Sequence, residues 1–196
     1  MYTMSMRQYP VTPQVAMTVI IACLAANIAL GFVVRRVGLP IYLDTVGTIL
    51  ATIMLGWRWG LVAAALSVAL GSILIWPQYF WYSMTAVGIV VAVEMCWRFS
   101  LYRSPLRVAW AGLIIAAVAA ILSAPITAHF SAMTYSGNDL ITAFFRQMGN
   151  SLMKSVLFSG FSSEPVDKVV TSLIVYYALS GFPEYLMKRY HLRGIN

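Results

Sequence analysis

Apolar stretches long enough, or nearly long enough, to cross a lipid bilayer recur along the whole sequence, and this feature restricts the fold more than any other. A helix that spans the hydrocarbon core needs about 20 predominantly apolar residues. Six such stretches occupy most of the 196 residues, of which 61% are hydrophobic and only 10% charged. Soluble domains carry about 25% charged residues. We therefore expect one all-α integral membrane domain covering residues 1–196, surrounded by the lipid bilayer.

The six predicted transmembrane helices are separated by short loops that carry basic, aromatic, glycine or proline residues. The last of them begins at residues 163–165 (Ser-Glu-Pro), because proline suits the first helical turn, and ends at residues 181–183 (Gly-Phe-Pro). The second and the fourth are near the lower length limit for a span. The predicted spans, which together form a six-helix bundle, cover residues 14–34, 41–56, 59–76, 82–97, 108–128 and 165–182.

A different pattern occupies residues 139–158, in the long outer loop between the fifth and sixth predicted spans. Arg146, Asn150 and Lys154 recur every four residues, opposite a set of apolar side chains. An amphipathic helix of this kind suits a membrane interface better than the bilayer core. We expect it to lie along the outer face as a movable lid, with Asn150 as a candidate ligand contact.

The distribution of the 13 Lys and Arg residues predicts the orientation of the chain. With the amino terminus inside the cell, eight of them fall in cytoplasmic segments and five outside, which agrees with the usual excess of basic residues in cytoplasmic loops. We expect a multi-pass protein of the inner (cytoplasmic) membrane with both termini in the cytoplasm. This orientation accounts for the formal charge of +7, and no nucleic-acid partner is expected.

Residues typical of catalytic and metal sites are few. The sequence has no complete phosphate-binding loop, and His129 and His191 have no acidic or cysteine partner at metal-ligand spacing. Cys23 and Cys96 lie in different predicted spans, so neither a disulfide nor a metal site is expected from them. We expect no enzymatic activity, no metal and no cofactor. A binding or transport function needs fewer ionisable residues.

Two acidic clusters are the candidate ligand sites. Asp44, followed by Thr45 and Thr48, lies near the outer end of the second span, where an ionisable residue is costly and indicates a functional site. Glu164 and Asp167, with Lys168 beside them, form the second cluster, at the outer start of the last span. In the alternative interpretation these acids stabilise helix amino termini or form ion pairs with nearby basic residues.

Aromatic residues gather at the predicted outer face, among them Tyr42, Tyr79 and Trp81. Such residues form an interfacial belt in many membrane proteins. The alternative is a surface that stacks against a flat heteroaromatic ligand. The three aromatics are therefore candidate ligand contacts.

Small residues recur on one side of the first span, where Ala22 and Ala26 are four residues apart and Ala29 lies beside them. A face of this kind lets another helix approach closely in lipid. It packs either inside the bundle or against a partner protein. The same alternatives hold for the small residues of the fifth span, which are Gly112, Ala116, Ala120 and Ala124.

Three segments and the six-span plan resemble the substrate-binding S components of energy-coupling factor (ECF) transporters. Residues 43–51, LDTVGTILA, are similar to the L-D-T-x-G-T-I-L-A signature of many S components. Residues 56–60, GWRWG, are similar to their G-P-x-x-G signature, with Trp57 where proline is common. Residues 164–168, EPVDK, are similar to the acid-x-x-D-K start of their last helix. The resemblance extends over most of the chain.

The resemblance implies the substrate-binding membrane subunit of an ECF-type ABC importer, which captures a vitamin or related micronutrient from outside for ATP-driven uptake. The implied partners are a transmembrane coupling (T) subunit, docked on Ala22 and Ala26, and two ATPase subunits. A cobalamin-like or other ring-bearing nutrient is the first candidate substrate, because the outer aromatics suit flat ligands. The alternative function is a membrane-embedded sensor or assembly subunit without transport activity, and a small membrane enzyme ranks third.

Overall fold

The computed structural model describes residues 12–130 and 137–182 of the chain. Within these residues the regular elements are all helices, without a β-strand, which confirms the predicted all-α class. The α-helices are α1 (Pro13–Val37), α2 (Val46–Leu55), α3 (Trp57–Leu74), α4 (Ser83–Arg98), α5 (Pro105–His129), α6 (Asn138–Gln147) and α7 (Leu152–Ser180). Two short 3₁₀ helices, Pro77–Tyr82 and Leu101–Arg103, precede α4 and α5 respectively.

Among the described residues, four helical segments are long and apolar enough to cross a membrane. They are α1, α3, α5 and the continuous segment Pro77–Arg98, in which α4 follows the first 3₁₀ helix. Large apolar side chains are exposed along these segments, for example Ile21, Phe32, Ile73, Met84, Val91, Trp110 and Ile121. Such surfaces are costly in water and stable against lipid tails, as expected for a membrane protein.

Helix α2 is shorter than the predicted span 41–56 and is almost completely buried. It begins at Val46, and nine of its ten residues are buried. At 1.5 Å per residue it is about 15 Å long, roughly half the thickness of the hydrocarbon core. Residues 41–45 are not helical. Irregular backbone is tolerated at membrane depth only where it is buried in protein or lines a cavity, and this segment lines the cavity described below.

Helix α7 begins at Leu152, well before the predicted start at residues 163–165. The Ser151 hydroxyl caps it by accepting a hydrogen bond from the Lys154 amide at 3.4 Å. Pro165 therefore lies inside the helix, where its missing N–H removes one helical hydrogen bond. Close packing on α5 accompanies this continuity: a Cβ added at Gly112 of α5 would lie 2.6 Å from the Cα of Val169. Tertiary packing thus overrides the local proline signal.

The predicted interfacial helix 139–158 is two elements in the structure. Helix α6 ends at Gln147, and Gly149 has a φ of 86°, a left-handed conformation that favours glycine and turns the chain before α7. Asn150 lies in this turn and donates a hydrogen bond from Nδ2 to the Phe145 carbonyl at 3.0 Å. Lys154 belongs to the first turn of α7. The three polar residues predicted to share one helix face are therefore divided between two helices and a turn.

Small residues set the closest approaches inside the bundle. A Cβ at Gly47 of α2 would lie far inside van der Waals contact with the Cys23 carbonyl of α1, so the two backbones touch at this point. On α5 the small residues all face inward, which assigns them to internal packing; the buried positions are Gly112, Ala116, Ala120 and Ala124. Helices α2 and α7 also contact each other, and the two acidic clusters lie at the same end of the molecule.

Candidate functional site

A cavity of about 100 Å³ lies between α2, α3, α4, α5 and α7, at the end of the bundle where α1 finishes. The irregular segment before α2 and the first 3₁₀ helix contribute to its wall. Its charged lining residues are Arg35, Asp44, Glu164 and Lys168. The aromatic ones are Tyr42, Trp76, Tyr79 and Tyr82, and the hydroxyl-bearing ones are Thr45, Thr48, Ser67, Thr85, Ser123 and Thr127.

A set of hydrogen bonds between α7 and the segment before α2 joins the two acidic clusters. Asp167 is completely buried, and its Oδ1 accepts hydrogen bonds from the backbone amides of Tyr42 at 3.0 Å and Leu43 at 2.8 Å. Leu43 has a φ of 49°, an uncommon left-handed conformation for a residue with a side chain. The carboxylate therefore replaces the backbone partners that this non-helical stretch lacks. We call this arrangement, Asp167 with the amides of Tyr42 and Leu43, the α7 clasp.

Lys168 links the clasp to the cavity. Its ammonium pairs with Asp167 Oδ2, donates to Thr45 Oγ1 at 3.3 Å and lies 3.5 Å from Glu164 Oε2. The residue is 2% exposed. A buried charge is tolerated only when it is paired and hydrogen-bonded, and these contacts supply both conditions. Lys168 was not among the predicted ligand contacts, although it follows Asp167 directly in the sequence.

Asp44 is held from the opposite side of the cavity. Its Oδ2 accepts a hydrogen bond from the hydroxyl of Tyr79, in the 3₁₀ helix before α4. The Arg35 guanidinium lies 6.0 Å from the centre of the Tyr79 ring, within cation–π range. Asp44 is not the N-cap residue of α2. That position is occupied by Thr45, whose side chain makes no capping hydrogen bond. The aromatic and acidic groups thus form one connected wall.

Some polar atoms of the lining are buried without a hydrogen bond among the described residues. They include Glu164 Oε2 and Thr85 Oγ1, and both residues are 7% exposed. Glu164 Oε2 is within ion-pair distance of Lys168, but the geometry is not that of a hydrogen bond. A buried polar atom without a partner costs about 1–3 kcal/mol. The cavity therefore offers an acceptor and a hydroxyl that a bound molecule would satisfy.

Asn27 of α1 is a buried polar residue that the sequence reasoning missed. Its Nδ2 donates to Thr48 Oγ1 at 3.1 Å and to Ser67 Oγ at 3.0 Å, and its Oδ1 accepts from the Gly47 amide at 2.6 Å. It therefore joins α1, α2 and α3 and fixes two hydroxyls of the cavity wall. The available signal was a carboxamide in the middle of a largely apolar span, which is rarely without a role.

The start of α6 covers the clasp. Asn138 Nδ2 donates to the hydroxyl of Tyr42 at 3.0 Å, and Ser159 Oγ donates to Asn138 Oδ1 at 2.8 Å. Gly137 lies directly against the backbone of Gly38, with no room for a Cβ. The first turn of α6 is thus attached both to the cavity wall and to α7.

The structure brings six of the nine predicted ligand contacts to the cavity: Tyr42, Asp44, Thr45, Thr48, Tyr79 and Glu164. Asp167 lies behind the wall, in the clasp. Trp81 is 61% exposed and packs against the ring of Phe130 at 6.2 Å between centroids, and Asn150 lies in the turn before α7. Neither of these two residues lines the cavity.

The predicted docking residues lie on the outside of α1. Ala22 and Ala29 are exposed and Ala26 is half-buried, whereas the residues that pack inward are Ala16, Ile20, Cys23, Asn27, Gly31 and Val34. The small-residue face is therefore only partly covered by the described part of the chain.

Metal-binding groups of three or more His, Cys, Asp or Glu side chains are absent from the part of the chain that the structure describes. Comparison with protein-family models, with curated proteins and with solved structures finds no match for this chain.

Proposed function

We propose that this chain is the substrate-binding membrane subunit of an ECF-type importer and that it holds a small organic nutrient in the cavity at the end of α1. The observation that carries the proposal is the convergence of two sequence segments at one cavity. Residues 43–48 and 164–168 are more than a hundred residues apart in the chain. They meet through the α7 clasp and through the contact between Lys168 and Thr45.

The chemistry of the lining supports recognition of a ligand. Pockets for small molecules combine apolar and aromatic walls with a few fixed polar groups. Here the aromatic rings and the hydroxyls surround Asp44 and Glu164, and Glu164 Oε2 and Thr85 Oγ1 are buried without hydrogen-bond partners among the described residues. The volume of about 100 Å³ favours a compact ring-bearing nutrient over a cobalamin-like one.

The proposed topology has six spans with both termini in the cytoplasm. The four long apolar segments supply four of them. The short helix α2, extended by residues 41–45, and the helix α7 supply the other two. With the amino terminus inside, α1 ends at the outer face, so the cavity opens toward the outside of the inner membrane. Helix α6, with Arg146 on its polar side, then lies at the outer surface, near the cavity wall.

The proposed partners are a transmembrane coupling subunit and two ATPase subunits. The exposed alanines of α1 provide a surface on which another membrane helix approaches closely. Uptake against a gradient needs an energy source, and ATPase partners supply it.

Affinity purification of the tagged chain from its native membrane, in mild detergent, tests the proposal. We expect a membrane coupling protein and two ATPase chains to copurify in fixed ratio and to be released by disruption of the α1 surface. Copurification of a kinase or a phosphatase instead would favour a sensor and would contradict the transport function. An untagged culture and a tagged unrelated membrane protein of similar size serve as controls.

A further inference from the structure

The charges around the cavity do not balance. Arg35 and Lys168 are the cations of its described lining, and the carboxylates around them are Asp44 and Glu164 of the lining and Asp167, which pairs with Lys168 behind the wall. When all five groups are ionised, one negative charge remains in excess. An excess charge in a buried site is costly unless a counter-charge or a proton compensates it. A positively charged group of a ligand would therefore balance the charge around the cavity.

Glu164 is the carboxylate with the weakest compensation inside the protein. Asp167 accepts two backbone hydrogen bonds and pairs with Lys168, and Asp44 accepts from Tyr79. Glu164 Oε2 has only the 3.5 Å ion-pair contact with Lys168 and accepts no hydrogen bond from the described residues. A ligand N–H group that reaches this oxygen would supply the missing bond.

The rest of the wall restricts the shape of the ligand. The cavity is lined by rings, and Tyr79 and Tyr82 lie 6.2 Å apart between centroids with their planes inclined by 46°. Aromatic faces attract both flat rings and cations. On the α4 side the hydroxyl of Thr85 is buried without a partner among the described residues, so a second polar group of the ligand is accommodated there.

We infer that the ligand is a compact, flat nitrogen heterocycle whose positively charged N–C–N edge donates hydrogen bonds to Glu164 while its ring lies among the tyrosines. This inference rests on the proposed binding function and specifies its ligand class. An amidinium-like edge suits a carboxylate because its two N–H groups are parallel and charge-assisted. Protonated amino-heterocycles present such an edge. A carboxylate or phosphate ligand would add to the existing excess of negative charge.

Three compounds of nearly identical shape test the inference: benzamidine (cation), benzamide (neutral) and benzoate (anion). Their binding to the full-length chain in lipid nanodiscs is measured by isothermal titration calorimetry. We expect benzamidine to bind about tenfold more tightly than benzamide, the scale of one charge-assisted hydrogen bond, and benzoate not to bind measurably. Equal or tighter binding of benzamide or benzoate overturns the ligand class and leaves the binding function intact. Absence of binding by all three at millimolar concentration overturns the inference and also argues against this cavity as the binding site.

Variants at Glu164 and at Thr85 test where the ligand binds. Glu164→Gln should abolish the preference for benzamidine over benzamide, whereas Thr85→Val should weaken severalfold the binding of 4-hydroxybenzamidine, whose hydroxyl is the second polar group. Thr171→Val is the matched control, because the Thr171 hydroxyl is also buried without a hydrogen bond among the described residues but lies outside the cavity lining. It should leave the binding of both amidines unchanged. If Glu164→Gln does not fold, the comparison of Thr85→Val with Thr171→Val still decides, and equal effects of these two variants contradict the assignment of the site. The copurification described above does not depend on the ligand, so it separates failure of the ligand class from failure of the proposed function.

Discussion

The α7 clasp predicts that Asp167→Asn destabilises the protein even without ligand. The amide that replaces the carboxylate still presents an oxygen to the Tyr42 and Leu43 amides, which now donate to Oδ1 at 3.0 and 2.8 Å. Its NH₂ group, however, takes the place of Oδ2, which pairs with the Lys168 ammonium. Two donors would then face each other at a completely buried position.

The magnitude follows from the loss of one partner of a buried ion pair. Removing such a partner costs about 3–5 kcal/mol, because it leaves an uncompensated charge inside the protein. Glu164, 3.5 Å from the ammonium, supplies part of the compensation, so we place the expected loss near the lower end, at about 3 kcal/mol. The double variant Asp167→Asn with Lys168→Met removes both charges and should recover much of this loss.

Reversible unfolding of the ligand-free protein in mixed micelles measures these free energies. Glu94→Gln is the matched control, because Glu94 pairs with Arg98, whose side chain is 52% exposed, and such surface pairs contribute about 0–1 kcal/mol. The reasoning is refuted if Asp167→Asn costs no more than the control variant. It is also refuted if the double variant is less stable than Asp167→Asn alone, because the uncompensated ammonium would then not be the cause.

Three further variants test other parts of the structure. Gly47→Ala should lower the free energy of unfolding by at least about 1–3 kcal/mol, because α1 blocks the added methyl group. Gly160→Ala is the control in the same unfolding assay and should cost far less, because its Cβ would meet the nearest atom at 3.4 Å. Ala22→Trp should abolish copurification of the coupling subunit and nutrient uptake but not ligand binding, while Val91→Trp, at an exposed position on α4, should leave copurification and uptake intact. Asp44→Asn should weaken benzamidine binding by about 1–3 kcal/mol in calorimetry with little change in ligand-free stability, and the reverse pattern would assign this residue a structural role.

The sequence was sufficient to predict the helical class and the main membrane segments, because long apolar stretches and their flanking loops are local properties. It also indicated the residues around Asp44 and Glu164, since acids in apolar surroundings are costly and therefore rare. The pairing of the two segments was not predictable in this way. Asp167 and Tyr42 are separated by 125 residues, and no local pattern specifies their hydrogen bond.

The boundaries around α7 show why local rules failed there. The four-residue spacing of Arg146, Asn150 and Lys154 continues through the turn at Gly149, so it resembles one helix although the chain changes direction. Pro165 suggested a helix start, but packing on α5 carries the helix through it. In both cases the competing information lies in distant parts of the chain.

The continuity of α7 through Pro165 has a consequence for how the cavity is built. Asp167 and Lys168 follow Glu164 by three and four residues, so both lie on the same helix face as Glu164. On that face Asp167 holds the backbone of the segment before α2, while Glu164 and Lys168 line the cavity that this segment closes. The shape of the cavity and the stability of the bundle therefore depend on the same helical turn. Replacement of Asp167 should change both ligand affinity and ligand-free stability. Replacement of Glu164 should act mainly on affinity, because its Oε2 makes only the 3.5 Å ion-pair contact with Lys168 among the described residues and Asp167 compensates the same ammonium.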